Sequence, residues 1–280
     1  MGSGPTQTNT SVIEMMYTEE NDFLEKSKAI EEFRSRLVRH GVALQFSSAV
    51  ALEVGGSGGV FGGILSNDLR RIIVSDIVDT NSQYQGQFGR LLKEKFERNG
   101  RELNLEKIEF HVADAMNLPY RDQLFDLAVS QNAFEHIPDP LLALDELLRV
   151  VKKGGVIYLT FDPIWTSDTG SHFSHFVPEP WSHLLLDEET FCKNMRAAGA
   201  HDNEVEEFRL AMNRKDLNVY LQQFQSMLRS HDVSFAHHQT WTGCADASHL
   251  THSNRFEAAA RLGCEPDELL VRGISYLIVR

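Results

Sequence analysis

The chain has 280 residues, of which 42% are hydrophobic and 24% charged, a composition typical of a globular protein with a buried core. Its 27 Lys and Arg against 40 Asp and Glu give a net charge of −13, which argues against duplex nucleic acid as a partner. Apolar runs stay far below the roughly 18 residues that cross a bilayer, and the first ten residues lack a secretion signal, so we expect a cytoplasmic protein with no membrane partner.

The predicted elements begin with a flexible leader at residues 1–20 and an amphipathic helix at residues 22–40. Apolar runs then alternate with amphipathic stretches. The runs predict buried parallel strands at residues 50–54, 72–75, 108–112, 125–130 and 156–161, and the stretches predict helices at residues 61–69, 86–98 and 140–151, the last closed by Lys152, Lys153 and Gly154. This order predicts a doubly wound, Rossmann-like α/β sheet with its ligand site beyond the carboxyl ends of the strands.

The alternation breaks after residue 161, where a loop at residues 162–186 is longer than a simple connection needs. Residues 187–198 predict a helix, 204–210 a strand, 216–262 further helix and 273–279 a last strand. We expect a seven-stranded sheet, mostly parallel with an antiparallel C-terminal strand, capped by two inserts of helix and loop. The predicted organisation is a leader (1–20), an N-terminal helical segment (21–48), the Rossmann-like core (49–161), a cap insert (162–186), a core continuation (187–210), a helical cap insert (211–268) and the last core strand (269–280).

A glycine-rich bend follows the first predicted strand. It contains Glu53 and then Gly55, Gly56, Ser57, Gly58 and Gly59. Glycines let backbone amides approach a ligand, and the helix N-terminus that follows offers positive potential; a tight turn without a ligand is the alternative. Phe61 stands where a dinucleotide fingerprint needs its third glycine, and Gly63 is not followed by the Lys of a P-loop, so the spacing fits neither phosphate motif.

Two further acids follow the next two predicted strands. Asp76 comes directly after the second strand, where its carboxylate can accept both hydroxyls of a ribose. Asp114 follows the third strand and suits an exocyclic amine beside an apolar adenine slot. Acids at three successive strand ends suit a cationic nucleoside without phosphates. Asp79 and Asp122, by contrast, are predicted to be a helix cap or a solvated turn.

These motifs, in this order, resemble those of the class I S-adenosylmethionine-dependent methyltransferases, especially the small-molecule branch, over about residues 49–160. Residues 118–120, 125–137 and 144–155 extend the resemblance. It implies S-adenosyl-L-methionine as cofactor, bound by Glu53, Gly55, Gly56, Ser57, Gly58, Gly59, Asp76, Ile77, Asp114, Ala115, Gln131 and Asn132. Ser57 replaces a glycine that the family usually has, and residues 130–133 differ from the Asn-Pro-Pro-Tyr pattern of methylases that act on base or amide nitrogens.

Histidines occur repeatedly in the long segment after the fifth strand. A hydroxyl acceptor is helped by a base near neutral pKa, so His172 and His183 are the candidate catalytic bases, with a hydrogen-bonded structural role as the alternative. His136 is predicted to pack or bond within the cofactor loop. We predict no metal, because no further ligands stand at a recognisable spacing from the HxxH pair of His172 and His175, and the three cysteines are dispersed.

The sequence therefore predicts an enzyme that transfers a methyl group from S-adenosyl-L-methionine to a small-molecule acceptor at a hydroxyl oxygen. Residues 180–185 and 212–220 resemble segments of methyltransferases of sugar or polysaccharide assembly, which makes such a precursor a candidate acceptor. A catalytically silent cofactor-binding or scaffold protein of the same fold is the alternative. Phe61 and the lack of a hydride-transfer constellation disfavour a nicotinamide oxidoreductase. The acceptor and the oligomeric state stay open.

Overall fold

The computed structural model describes residues 19–56 and 58–280. Most of the predicted leader, and Ser57 of the glycine-rich bend, lie outside the described residues. Glu19 and Glu20 of the predicted leader already belong to the first helix. The chain divides into two compact units, Met1–Ala113 (unit 1) and Asp114–Arg280 (unit 2).

Unit 1 contains three parallel strands in the order β3-β2-β1. The strands are β1 (Val50–Val54), β2 (Arg71–Asp76) and β3 (Ile108–Val112), and the helices are α1 (Glu19–Arg39), α2 (Val60–Ser66), α3 (Thr80–Gln83) and α4 (Phe88–Arg98), with short 3-10 turns at Phe46–Ser48 and Leu105–Lys107. The bounds of β1 and β3 are those that the sequence predicts. Strands of a parallel sheet are covered on both faces, which explains why β1 and the middle of β2 are largely apolar and buried.

Unit 2 contains four strands in the order β4-β5-β7-β6. The strands are β4 (Phe125–Gln131), β5 (Val151–Phe161), β6 (Phe235–Thr242) and β7 (Val271–Val279), and the helices are α5 (Pro140–Val150), α6 (Ser182–Leu185), α7 (Glu188–Ala197), α8 (Asp202–Ala211), α9 (Phe224–Ser230) and α10 (Ser253–Leu262), with a π-helical turn at Val219–Gln223 and 3-10 turns at Ala247–Thr251 and Pro266–Leu270. Strand β4 is parallel to β5, whereas β7 is antiparallel to both β5 and β6.

The architecture confirms the predicted fold class, a seven-stranded, Rossmann-like and mostly parallel α/β sheet with an antiparallel C-terminal strand. Helices occur between the strands as predicted, and their ends carry the expected caps: Asp139 accepts from two amides at the start of α5. Asp79 caps α3 in the same way, as predicted. Among the described residues, no helix is both long and apolar enough to span a bilayer. The division into a core and two cap inserts stays a prediction.

The strand predicted at residues 204–210 is wrong, because this segment lies within helix α8. Val205 and Phe208 are buried while their neighbours are mostly exposed, and a spacing of three residues places both on one face of a helix. His201 and Glu204 form a capping box at its start. Phe208 and Leu210 alternate as in a strand, but Leu210 is 71% exposed, so this alternation does not mark a buried face.

The helix predicted across residues 216–262 is interrupted by β6, which the sequence analysis missed. This strand lies at the edge of the sheet, and its side chains are exposed or half-buried. Its polar residues carry no buried apolar pattern, so pairing of its backbone with β7 determines its structure. Similarly, Lys152, Lys153 and Gly154 do not close α5, which ends at Val150; they lie in the irregular first part of β5.

Candidate functional site

The glycine-rich bend of unit 1 is shaped around the buried side chain of Glu53. A Cβ atom on Gly56 would stand 2.6 Å from Glu53 Cδ, and one on Gly62 would stand 2.3 Å from Glu53 Oε2. Only glycine fits at either position while Glu53, which is 3% exposed, keeps its place. Gly62 belongs to α2 and is not one of the predicted site residues, so the constraint extends one helical turn beyond the motif.

Gly55, Gly58 and Gly59 differ in backbone conformation and in contacts. Gly55 and Gly59 adopt positive φ angles of 77° and 66°, which favour glycine. The amides of Gly55 and Gly56 both donate to the Ser75 carbonyl oxygen, so they fasten the bend to β2. No described atom lies within 4 Å of a Cβ placed on Gly58, which leaves this position open to a ligand.

Burial raises the pKa of Glu53 to about 7. The nearby charge of Asp76 acts in the same direction, whereas Lys26 and the Gly62 amide favour the ionised form. Glu53 is therefore a carboxyl group that gains or loses its proton near neutral pH. Its burial against Gly56 and Gly62 makes it a support of the bend.

Asp76, the last residue of β2, lines a small cleft in unit 1, and Ile77 follows it in the chain. Asp76 accepts a hydrogen bond of 2.9 Å from the Val78 amide, and Ile77 is 67% exposed. The cleft is lined by both polar and apolar residues, among them Asp76, Val78 and Phe110. An acid next to an exposed apolar side chain suits a sugar beside a flat base.

In unit 2, Asp114 and Ala115 begin a turn in which Asp114 Oδ1 accepts from the Met116 amide at 2.8 Å. The segment that follows is held by two residues of α5. Glu146 accepts from the Leu118 amide at 2.7 Å, and Arg149 donates to the carbonyl oxygens of Leu118 and Tyr120. Glu146 and Arg149 lie within residues 144–155, which extend the family resemblance, and their contacts connect that segment to residues 118–120. Asp122 pairs with Arg149 at the surface, as a solvated acid should.

Gln131 and Asn132 stand at the carboxyl end of β4, in unit 2. Asn132 has a positive φ of 52°, and its amide donates to the Thr160 carbonyl oxygen. Gln131 Oε1 is buried and has no hydrogen-bond partner among the described residues. A buried amide oxygen without a partner costs free energy, so its position suits a ligand that donates to it.

The two candidate bases are both held by backbone carbonyl oxygens. His172 Nε2 lies 3.0 Å from the Pro163 oxygen, and His183 Nε2 lies 2.7 Å from the Trp165 oxygen. Burial lowers the pKa of each to about 4. Both are therefore neutral at pH 7 and weakly basic. His183 is 7% exposed, whereas His172 is half-buried and its ring meets that of His136 at a centroid distance of 5.0 Å.

Asn213 organises the segment after β4 and was missed by sequence reasoning. Its side-chain amide donates to the carbonyl oxygens of Phe134 and Ile137, and its backbone amide donates to that of Glu135. The backbone amide of His136, which is predicted to pack or bond within the cofactor loop, donates to the Ala133 carbonyl oxygen in that loop. The His136 ring also contacts the Ala211 carbonyl oxygen through Nδ1 at 2.7 Å. The contacts with Asn213 and Ala211 join residues more than 70 positions apart, so local spacing carries no signal for them.

A second missed group surrounds the buried carboxylate of Asp168, in the long segment after β5. Asp168 Oδ2 lies 2.7 Å from His249 Nδ1 and accepts from the Ala245 amide at 2.6 Å. Arg272 lies 3.7 Å from Asp168 and donates to Asp162 at 3.0 Å. The two acids fasten this segment to the C-terminal part of the chain.

Comparisons with known proteins agree with this arrangement of motifs. Residues 52–159 match the model of a methyltransferase domain family. An uncharacterized methyltransferase of Mycobacterium leprae is 40% identical over 60 residues, and norajmaline N-methyltransferase of Rauvolfia serpentina is 41% identical over 54 residues. These matches span 21% and 19% of this chain, and only 22% and 18% of the length of the two relatives.

Among solved structures, the YcgJ protein of Bacillus subtilis is similar in fold, with a TM-score of 0.50 and 16% identity over 87% of this chain and 97% of that one. At this identity the likeness concerns the fold. Together with the family match, it confirms the resemblance that the sequence motifs indicate. Residues 52–159 are therefore a class I methyltransferase domain, with S-adenosyl-L-methionine as its cofactor.

Proposed function

We propose that the whole protein is an enzyme that transfers a methyl group from S-adenosyl-L-methionine to a hydroxyl oxygen of a small molecule, with a sugar or polysaccharide precursor as the candidate acceptor class. When bound, the cofactor supplies an electrophilic methyl group: the acceptor oxygen forms the new C–O bond, the C–S bond breaks with its electron pair left on sulfur, and the hydroxyl proton passes to a base. The family match of residues 52–159 is the observation that carries this proposal.

The residues present fit the cofactor. No described atom lies within 4 Å of a Cβ placed on Gly58, so the amino-acid part of the cofactor could approach the bend there. Gly56 of the same bend packs against Glu53. Asp76 would accept the ribose hydroxyls, and the exposed Ile77 would lie against the adenine. The remaining assigned contacts are Gly55, Ser57, Gly59, Asp114, Ala115, Gln131 and Asn132, as the sequence predicts.

Calorimetry with S-adenosyl-L-methionine tests the cofactor assignment. Replacing Asp76 by Ala should weaken binding by about 1 to 3 kcal/mol, because the ribose hydroxyls lose their acceptor. Asp122→Ala removes the same charge at an exposed surface position and should leave the affinity unchanged. Full affinity of the Asp76 variant would show that the ribose lies elsewhere.

Calorimetry and a product screen together distinguish the enzyme from a catalytically silent scaffold of the same fold. Absence of cofactor binding rejects the enzyme. Binding without any product that gains one methyl group, in a mass-spectrometric screen of hydroxylated metabolites and sugar precursors, favours the scaffold.

The proton of the acceptor hydroxyl would pass to His172 or His183. Both are neutral at pH 7, and the half-buried position of His172 gives it the better access. Gln substitution of each, with turnover measured from pH 3 to 9 so that the range spans a pKa of about 4, tests the role; the exposed His175 provides the control. A base should change the pH profile of turnover, whereas a structural histidine should change stability alone. Unchanged profiles for both variants would remove the proposal.

A further inference from the structure

Three potential ligands meet after β4 in unit 2. Glu135, His136 and His172 each offer one donor atom, and these three atoms lie within 4.8 Å of one another. Glu135 Oε1 lies 3.9 Å from His136 Nε2. Separations of this order need only a small inward movement of the side chains to hold an ion with ligand distances of about 2.0 to 2.2 Å.

The hydrogen bonds of the two histidines determine which nitrogen carries the proton. His136 Nδ1 lies 2.7 Å from the Ala211 carbonyl oxygen, and His172 Nε2 lies 3.0 Å from the Pro163 carbonyl oxygen. A carbonyl oxygen only accepts, so each of these nitrogens carries the hydrogen and the second nitrogen of each ring keeps its lone pair. Metal-bound histidines are oriented in the same way, by donating their other N–H to a carbonyl or carboxylate.

The surroundings favour a cation. Glu135 is 1% exposed, whereas His136 is 37% exposed and gives the group an opening to solvent. The negative charge of Glu207 acts on His136, and that of Asp162 acts on His172, where the positive charge of Arg272 opposes it.

The backbone of this group is also fixed. Asn213 holds the carbonyl oxygens of Phe134 and Ile137, one on each side of the Glu135-His136 pair. His172 has a left-handed φ of 65°, a conformation that is uncommon for a residue with a side chain. The contacts of Asn213 position the backbone that carries Glu135 and His136.

We infer that Glu135, His136 and His172 form a site for a divalent transition metal of the Zn²⁺ class. Two imidazoles and one carboxylate suit first-row transition metals better than Mg²⁺ or Ca²⁺, which prefer oxygen ligands alone. Three protein ligands leave at least one coordination position for an external oxygen, as in catalytic sites. From the sequence we predict no metal, because no further ligands stand at a recognisable spacing from the HxxH pair. Glu135 and His136 are remote in the chain from His172, and the exposed His175 of that pair is not in the group.

The open position suits the acceptor hydroxyl. Coordination of that oxygen would lower its pKa and release its proton to water, so His172 would act as a ligand and not as the base. This role rests on the proposed methyl transfer, whereas the metal site itself does not.

The full chain is first freed of bound metal with a chelator, and calorimetry then measures its binding of Zn²⁺. The visible absorption of bound Co²⁺ reports the coordination geometry. We expect one equivalent to bind, with the spectrum of a four- or five-coordinate ion that has nitrogen ligands. His136→Ala and Glu135→Gln should each weaken binding by about 100-fold or more, since even loss of an outer hydrogen-bond partner costs up to about that factor. His175→Ala, an exposed histidine near His172, should bind normally.

Thermal unfolding in the presence of chelator shows whether the variants are folded; if Glu135→Gln unfolds, the half-exposed His136 provides the decisive variant. No saturable binding by the wild type, or equal binding by His136→Ala, would overturn the site. Calorimetry with S-adenosyl-L-methionine on the same samples separates the two claims. Cofactor binding without metal binding defeats the metal site alone, and metal binding without cofactor binding defeats the proposed function alone.

Discussion

Unit 1 and unit 2 position their polar side chains by different means. In unit 1 the buried Glu53 is accommodated by Gly56 and Gly62, which lie within ten residues of it in the chain. In unit 2 the buried Asp168 depends on His249 and Arg272, which lie 81 and more than 100 residues away. The arrangement around Glu53 depends on residues of one local sequence motif, whereas the arrangement around Asp168 forms only when distant segments of the chain pack together.

The largest expected effect on the free energy of unfolding concerns Asp168. Asp168→Ala leaves His249 and the Ala245 amide without their buried acceptor, while Arg272 keeps Asp162, and the free energy of unfolding should fall by about 3 to 5 kcal/mol, since each buried group left unpaired costs about 1 to 3 kcal/mol. Asp122→Ala, which removes a surface ion pair, should cost no more than about 1 kcal/mol. Urea denaturation measures the free energy of unfolding of both variants. Equal decreases would show that the buried Asp168 contributes no more to stability than the exposed Asp122.

The buried titratable groups of the two units should give pH dependences of opposite sign. The pKa of Glu53 rises from its ordinary 4.5 to about 7, so the folded protein keeps a proton that the unfolded chain loses. Its contribution therefore falls by about 3 kcal/mol as pH rises from 4.5 to 7. The pKa of His183 drops from 6.5 to about 4, so only the unfolded chain is protonated between these values, and its contribution falls by a similar amount as pH falls from 6.5 to 4.

Denaturation at several pH values, compared with Glu53→Gln and His183→Asn, isolates these contributions. The Gln variant should lose the decline toward pH 7, and the Asn variant should lose the decline toward pH 4. Parallel curves for a variant and the wild type would mean that the replaced group does not titrate with folding.

A smaller effect distinguishes two glycines of the same region. Gly62→Ala places a Cβ against Glu53 and Val74 and should lower the free energy of unfolding by about 1 to 3 kcal/mol. Gly58→Ala meets no described atom within 4 Å and should leave stability unchanged while it weakens cofactor binding. A stable Gly62 variant would contradict the packing role; unchanged affinity in the Gly58 variant would move the ligand away from the bend.

The sequence by itself determined the strands β1 to β5 and β7, because their apolar runs, turn residues and caps are local signals. It also determined the methyltransferase motifs of residues 52–159, which the family match confirms. Prediction from local patterns was wrong where few apolar residues are buried. Helix α8, with two buried residues, was predicted as a strand, and β6, with polar side chains at a sheet edge, was predicted as helix.

The tertiary structure alone decided which side chains meet. Only folding brings Asn213 to the backbone after β4, Asp168 to His249, and His172 to Glu135 and His136. The physical reason is distance along the chain: spacing within a few residues fixes a helix face or a turn, but contacts between remote segments depend on the packing of the elements that carry them.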